Sequence, residues 1–277
     1  MTNSTLLTVT VLGTGTSSGV PLPCCNCRVC TSNDPRDKRL RSSVLLTITD
    51  NAGNLPAHNI LIDTSPDLRQ QALTHNIDNI DAVIYTHTHA DHIFGIDDLR
   101  GFNFQRSGHI PIYCDFLSAS ELERMFPYIF SPATPAEGAP PPELEMNIID
   151  REQTFSCCGL KVTPIPLIHG KLPVLGYRIG GFAYLTDCSE IPETSYTLLQ
   201  GLDVLIIDGL RDRAHNTHFT QKQAVQVINR LLPKQAWLTH MSHEIMHAEA
   251  NIRVAAIAKV PTELAYDGLK FTLELHR

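Results

Sequence analysis

The sequence predicts an α/β fold of four layers: two mixed β-sheets face to face with helices outside, built as one domain over residues 1–277. Three observations carry that expectation. Short apolar runs of strand length recur in both halves of the chain. The segments between them open on helix-start signals. No short-period repeat and no shift in composition marks a linker that would separate the halves.

The first half gives its elements in order. Residues 6–13 alternate Leu6, Thr8, Thr10 against Leu7, Val9, Val11 and run into the turn Gly13-Thr14-Gly15-Thr16-Ser17-Ser18-Gly19. Residues 43–49 and 59–63 are strands around the turn Asp50-Asn51-Ala52-Gly53-Asn54. Ser65 and Pro66 suit the N-cap and first position of a helix. A strand over 82–85 follows, then a helix that starts near His92 or Asp97 and reaches Phe104.

The second half repeats the logic. A strand over 111–114 precedes a helix over 117–126. Residues 131–142 carry five prolines and form a loop excluded from any sheet, as a lid or as a solvated segment. Strands follow at 154–155, 160–168, 176–179, 183–187 and 202–208, the last bounded by Asp203 and Asp208. Thr220-Gln221-Lys222-Gln223 is a capping-box signature for a helix through Leu232. A strand over 236–239, a helix over 244–258 and a closing segment over 262–276 complete the chain.

Bulk properties bound the function. At 277 residues and 43% hydrophobic, the chain can bury a large core. With a net charge of −7, nothing suggests a general nucleic-acid or membrane-surface binder. No run approaches the roughly 18 apolar residues of a membrane span, and the N-terminus lacks a signal peptide's pattern, so a cytoplasmic location is expected. There, eight cysteines are metal ligands or reduced core residues rather than disulfides.

The chemistry concentrates in His87-Thr88-His89-Ala90-Asp91-His92, which directly follows an apolar run. A strand end fixes its last side chains, and the turn beyond can fold Asp91 and His92 toward the same point. Imidazole and carboxylate suit zinc, manganese and iron, and such a run can supply two metals. His169, Asp187 and His240 each close a further apolar strand. A lone histidine there would be structural; four such strand ends beside this run point to a metal centre. A second cluster, Cys24-Cys25-Asn26-Cys27-Arg28-Val29-Cys30, gives Cys25, Cys27 and Cys30 the spacing to wrap one tetrahedral zinc. His243 is the candidate fourth ligand, and Cys24 is a surplus thiol that competes for a place. Cys114, Cys157, Cys158 and Cys188 read as core residues.

These motifs resemble the metallo-β-lactamase superfamily across nearly the whole chain. The resemblance implies a first metal on His87, His89 and His169, and a second on Asp91, His92 and His240. Asp187 would bridge them, with Asp63 as a supporting aspartate and Asp208 in a similar part. The implied chemistry is attack by a metal-bridging hydroxide, with both divalent metals (zinc or manganese) stabilising developing charge.

Gly13-Thr14-Gly15, Ser18-Gly19-Val20-Pro21, the cysteine loop and Thr239-His240-Met241-Ser242-His243 narrow the resemblance. They match the branch containing the phosphoribosyl cyclic phosphate phosphodiesterases of the carbon–phosphorus lyase pathway. That implies a structural zinc on Cys25, Cys27, Cys30 and His243, and a small, cyclic phosphodiester as substrate. It also implies His218 as general acid, with His215 competing and a plain surface histidine as the alternative. Arg100, Arg106 and Lys171 are candidate phosphate contacts. Dimerisation is a further expectation from the resemblance.

Other readings stay open. The pyrroloquinoline-quinone biosynthesis proteins share a similar cysteine loop and would act as oxidising enzymes preferring iron. The tRNA 3′-processing endonucleases share the Gly-Thr start but would need a basic or Gly-rich arm, which the sequence lacks. A silent binding module would need the ligand set to be idle.

Overall fold

A computed structural model describes residues 5–50, 57–106, 108–131 and 140–275. The first sheet is built from β1 (Thr5–Gly13), β2 (Ser43–Asp50), β3 (His58–Ile62), β4 (Ala82–Ile84), β5 (Ile110–Cys114), β6 (Leu144–Ile148) and β14 (Lys270–Leu275), in the order β14-β1-β2-β3-β4-β5-β6. The second holds β7 (Phe155–Cys157), β8 (Leu160–His169), β9 (Leu172–Ile179), β10 (Phe182–Leu185), β11 (Val204–Asp208), β12 (Gln235–Thr239) and β13 (Thr262–Leu264), in the order β13-β12-β11-β10-β9-β8-β7. Both mix parallel and antiparallel pairs: β3-β4-β5-β6 and β10-β11-β12-β13 run parallel, and the remaining neighbours antiparallel.

Alternation along the strands creates the layers. In β11, Val204 and Ile206 join Val9, Val44, Ile62 and Ile84 in the core between the sheets. Leu205 and Ile207 point the other way, onto α7 (Gln221–Leu231) and α8 (His247–Ile257). A strand covered on both faces must be apolar at every position, which is why this run shows no alternation. On the outer face of the first sheet, Leu61, Val83 and Ile112 pack with residues of α1 (Leu68–His75), α2 (Ala90–Ile93), α3 (Arg100–Asn103) and α4 (Phe116–Met125). The four-layered αββα sandwich is therefore present.

Several expected boundaries move. Ser65 Oγ accepts the Asp67 backbone N–H at 3.2 Å, forming a local turn, so α1 starts at Leu68 rather than Pro66. The helix expected up to Phe104 breaks into α2, a 3₁₀ turn (Ile96–Leu99) and α3. Gly95 marks the break: a Cβ there would lie 2.0 Å from the Ser65 carbonyl oxygen. The helix expected from Glu244 begins at His247, and the strand at 154–155 shifts to Phe155–Cys157. β9 extends back to Leu172, and the closing segment splits into β13 and β14, one in each sheet.

Edge strand β6 and helix α6 (Glu193–Leu198) had no sequence expectation. Short α5 (Pro127–Phe130) follows α4. Cys158 is not a core residue: it is half-buried at a φ of 48° in the β7–β8 turn. Residues 132–139, most of the Pro-rich segment, and the turn residues 51–54 lie outside the described residues. Among the described residues, no helix is long and apolar enough to cross a membrane.

Candidate metal centre

The residues at one end of both sheets converge. Asp63 follows β3, His87 to His92 follow β4, His169 ends β8, Asp187 follows β10, Asp208 ends β11 and His240 follows β12. Ligand sites in open α/β sheets lie beyond the carboxyl ends of parallel strands, where side chains from several strands meet. Three of these residues hold left-handed backbone: Asp63 at φ 62°, Asp187 at 52° and His240 at 59°. Each such conformation costs on the order of 1–3 kcal/mol and turns the side chain inward where a strand would carry it past.

Two ligand sets share Asp187, each with its donor atoms within 4.8 Å of one another. His87, His89, His169 and Asp187 make one; Asp91, His92, His240 and Asp187 make the other. Asp187 belongs to both. One carboxylate oxygen lies 3.3 Å from Nε2 of His92 and 3.3 Å from Nε2 of His240; the other lies 3.9 Å from Nε2 of His87. Asp91 sits 3.4 Å from His92 and 3.5 Å from His240.

The hydrogen bonds behind the imidazoles test whether this set fits cations. Asp63, fully buried, accepts from Nδ1 of His92 at 2.7 Å and from the Thr86 hydroxyl at 2.7 Å. The Thr86 oxygen in turn lies 3.0 Å from Nδ1 of His87. Nδ1 of His169 donates to the Thr217 carbonyl at 2.6 Å. With Nδ1 engaged, each ring presents a bare Nε2 to the cluster. Nε2 of His87 and of His92 are buried and have no hydrogen-bond partner. Buried nitrogens left bare amid carboxylates are what a cation satisfies.

Electrostatics agree. Burial, with His92 adding to it, holds the His87 pKa well below the usual histidine range, so that ring is neutral. Burial likewise lowers His89 and His169. At His92 burial works against the charge, but Asp187, Asp91 and Asp63 outweigh it and raise the pKa well above 6.5. Burial opposes the Asp187 carboxylate, yet His240 and His92 keep its pKa well below the usual range. The carboxylates that favour positive charge at His92 would equally favour a cation there.

His218 is brought to the same centre. Its ring stacks on His240 at 4.8 Å and meets His169 edge-on at 4.5 Å. Nδ1 donates to Asp208 at 2.7 Å, and Asp208 also accepts the Cys188 backbone N–H at 3.0 Å. Burial opposes the charged ring, but Asp208 overrides it and raises the pKa.

The cysteine loop gathers too. Cys25, Cys27, Cys30 and His243 form a separate set of donors within 4.8 Å. Nδ1 of His243 lies 3.3, 3.5 and 3.8 Å from the three sulfurs in that order. The Cys30 backbone N–H is the chief influence drawing the Cys27 pKa down to about 6, while burial pushes Cys30 up to about 11. Cys24 is exposed and outside the set. Arg39, fully buried in the stretch that follows the loop, ties that stretch to the segment after His240. It donates to the Ser242 and Ile245 carbonyls at 3.0 and 2.7 Å and pairs with Asp37 at 3.1 Å.

The phosphate-contact candidates fare less well. Arg100 pairs with Asp97 at 3.5 Å and lines an outer groove with Arg69 and Phe104, away from the ligand sets. Arg106 donates to the Ile80 carbonyl at 2.7 Å. Lys171 is exposed in the β8–β9 turn, two residues beyond His169. Sequence reasoning missed Thr86 and Thr217: their contributions are a hydroxyl relay and a backbone carbonyl, which leave no spacing signature.

Residues 58–241 match the beta-lactamase superfamily domain. A crystal structure described as a new diphosphatase from the PhnP family is 41% identical, with 98% of each chain covered and a TM-score of 0.85. The chain belongs to the beta-lactamase superfamily and, within it, to the PhnP family. Another relative, an octanoyltransferase from Porphyromonas gingivalis, is 39% identical over 95% of this chain. The chain spans only 51% of that relative's length, so the remainder of it has no counterpart here. A coenzyme PQQ synthesis protein B from Methylobacterium radiotolerans is 27% identical, covering 73% of this chain and 72% of its own length. Superfamily and branch are those expected from the motifs.

Proposed function

We propose that this metal-dependent hydrolase is a phosphodiesterase using two divalent cations, zinc or manganese, on a small, cyclic phosphodiester of the phosphoribosyl or nucleotide type. The observation that carries it is Asp187, shared between two otherwise separate ligand sets. His87, His89 and His169 would hold one cation, Asp91, His92 and His240 the other, with Asp187 common to both. Bound there, the cations supply Lewis-acid stabilisation of phosphoryl charge and activate water near neutral pH.

The chain's own residues do the rest. Asp63 fixes the His92 ring and, through Thr86, the His87 ring, so neither must reorient during turnover. His218, charged and aimed by Asp208, donates a proton from Nε2 to the departing oxygen. Leaving-group protonation needs an acid that holds its proton near neutral pH, and the Asp208 contact supplies it. Cys25, Cys27, Cys30 and His243 would hold a structural zinc that braces the loop carrying His240. Lys171, two residues beyond His169, remains a proposed substrate contact, whereas Arg100 lies in the outer groove away from the ligand sets. The relative described as a PhnP-family diphosphatase supports the phosphoryl substrate class.

The test is elemental analysis of the purified protein together with hydrolysis of bis(p-nitrophenyl) phosphate. Three metals per chain, two at the sets that share Asp187 and one at the cysteine set, with turnover, support the proposal. The match to coenzyme PQQ synthesis protein B favours a second reading, an oxidising enzyme, and bound iron without hydrolysis would select it.

A further inference from the structure

His215 is exposed, and no role at the centre uses it. Its position is nevertheless specified. The Thr217 backbone N–H donates to His215 Nδ1 at 3.3 Å, and the Thr217 hydroxyl lies 3.1 Å from the same atom. A backbone N–H can only donate, so Nδ1 must be the bare nitrogen and Nε2 must carry the proton. The ring centroid is 5.2 Å from that of His218, which itself contacts His169 and His240. Thr217 therefore engages two rings in opposite senses: its carbonyl takes the proton of His169 Nδ1, and its N–H fills the lone pair of His215 Nδ1.

The segment that carries His215 is held in place. His215 lies on the segment between Asp208 and His218 that also carries Arg211 and Arg213. Glu244 holds both guanidinium groups, at 3.3 and 2.7 Å, so the segment is anchored rather than free. A neutral imidazole with its proton on Nε2 is a hydrogen-bond donor that cannot act as a general acid without becoming an anion.

We propose that His215 is a substrate-binding residue that donates from Nε2 to a phosphoryl oxygen. The inference rests on the phosphodiesterase reading and divides labour between the histidines: His218 gives up a proton, His215 only holds the phosphoryl group.

The experiment uses the metal-loaded full chain and its His215→Ala and His215→Gln variants. Binding of inorganic phosphate is measured by titration calorimetry, and kinetics with p-nitrophenyl and phenyl phosphodiesters. His215→Ala should bind phosphate about tenfold more weakly and raise KM by a similar factor, equally for both leaving groups. His215→Gln, which keeps an N–H donor, should recover most of the loss. Unchanged phosphate affinity in His215→Ala overturns the inference. So does a loss that grows with the poorer phenolate leaving group, because that behaviour belongs to a proton donor. If the wild type binds phosphate through His215 but cleaves neither diester, the role of His215 stands and the phosphodiesterase reading falls.

Discussion

A Cβ on Gly170 would lie 2.7 Å from Cγ2 of Thr217. Gly170, at a φ of 67°, thus makes room for the residue whose carbonyl orients His169 and whose N–H orients His215. The β8–β9 turn and the segment before α7 meet at this one glycine, linking a candidate metal ligand to the rim of the site.

Gly170→Ala should therefore harm function more than stability. Left-handed backbone costs a non-glycine residue about 1–2 kcal/mol, and the added methyl group displaces Thr217 as well. A shift of His169 by a fraction of an ångström should lower kcat/KM by roughly ten- to a hundred-fold. Steady-state kinetics beside a denaturation curve separate the two effects. Unchanged kinetics would mean that Thr217 does not orient the rings.

Asp208→Asn should move the pH profile. Asp208 raises the His218 pKa, and an acid must be protonated to act, so kcat declines once pH passes that pKa. Removing the carboxylate lowers the pKa, and the alkaline limb of kcat should shift toward lower pH. A limb that stays in place would remove His218 from the proton-donating role.

His247 predicts an acid sensitivity outside the metal sets. Its side chain is 1% exposed, Nδ1 has no partner, and burial, assisted by Arg36 and Arg39, lowers its pKa to about 4 from 6.5. The unfolded chain takes up the proton first, so the stability contribution is complete above pH 6.5 and is lost as pH falls toward 4. The full loss is about 3 kcal/mol. His247→Gln should flatten this part of the stability profile; equal acid dependence in both proteins would contradict the assignment.

Much of the centre was legible because metal chemistry restricts residue type. Histidine and aspartate at the ends of apolar strands announce themselves, and all seven expected ligands meet in the two sets. The Cys25, Cys27, Cys30 and His243 grouping was equally readable, though the brace through Arg39 was not, since its partners are carbonyls of Ser242 and Ile245. Arg100 misled because nearness in sequence to His92 says nothing once Gly95 breaks the helix and turns the chain away. Strand β6 escaped notice because an edge strand with one exposed face, Leu-Glu-Met-Asn-Ile, lacks the uniform apolarity of β11.

Cys27→Ser should remove one metal per chain without emptying the His/Asp sets. Because His243 and His240 share one segment, stability should fall by at least about 2 kcal/mol, with a smaller loss of activity. Metal content before and after the substitution, with the thermal midpoint, checks this. Retention of the full metal content would exclude Cys27 as a ligand.

The central claim is that Asp187 joins two metal sites into one catalytic centre. Its most direct test is the rate of bis(p-nitrophenyl) phosphate hydrolysis by wild-type and Asp187→Asn proteins, both metal-loaded. The account predicts turnover by the wild type and a loss of about a thousand-fold or more in the variant. Hydrolysis at equal rates in the two proteins would contradict it.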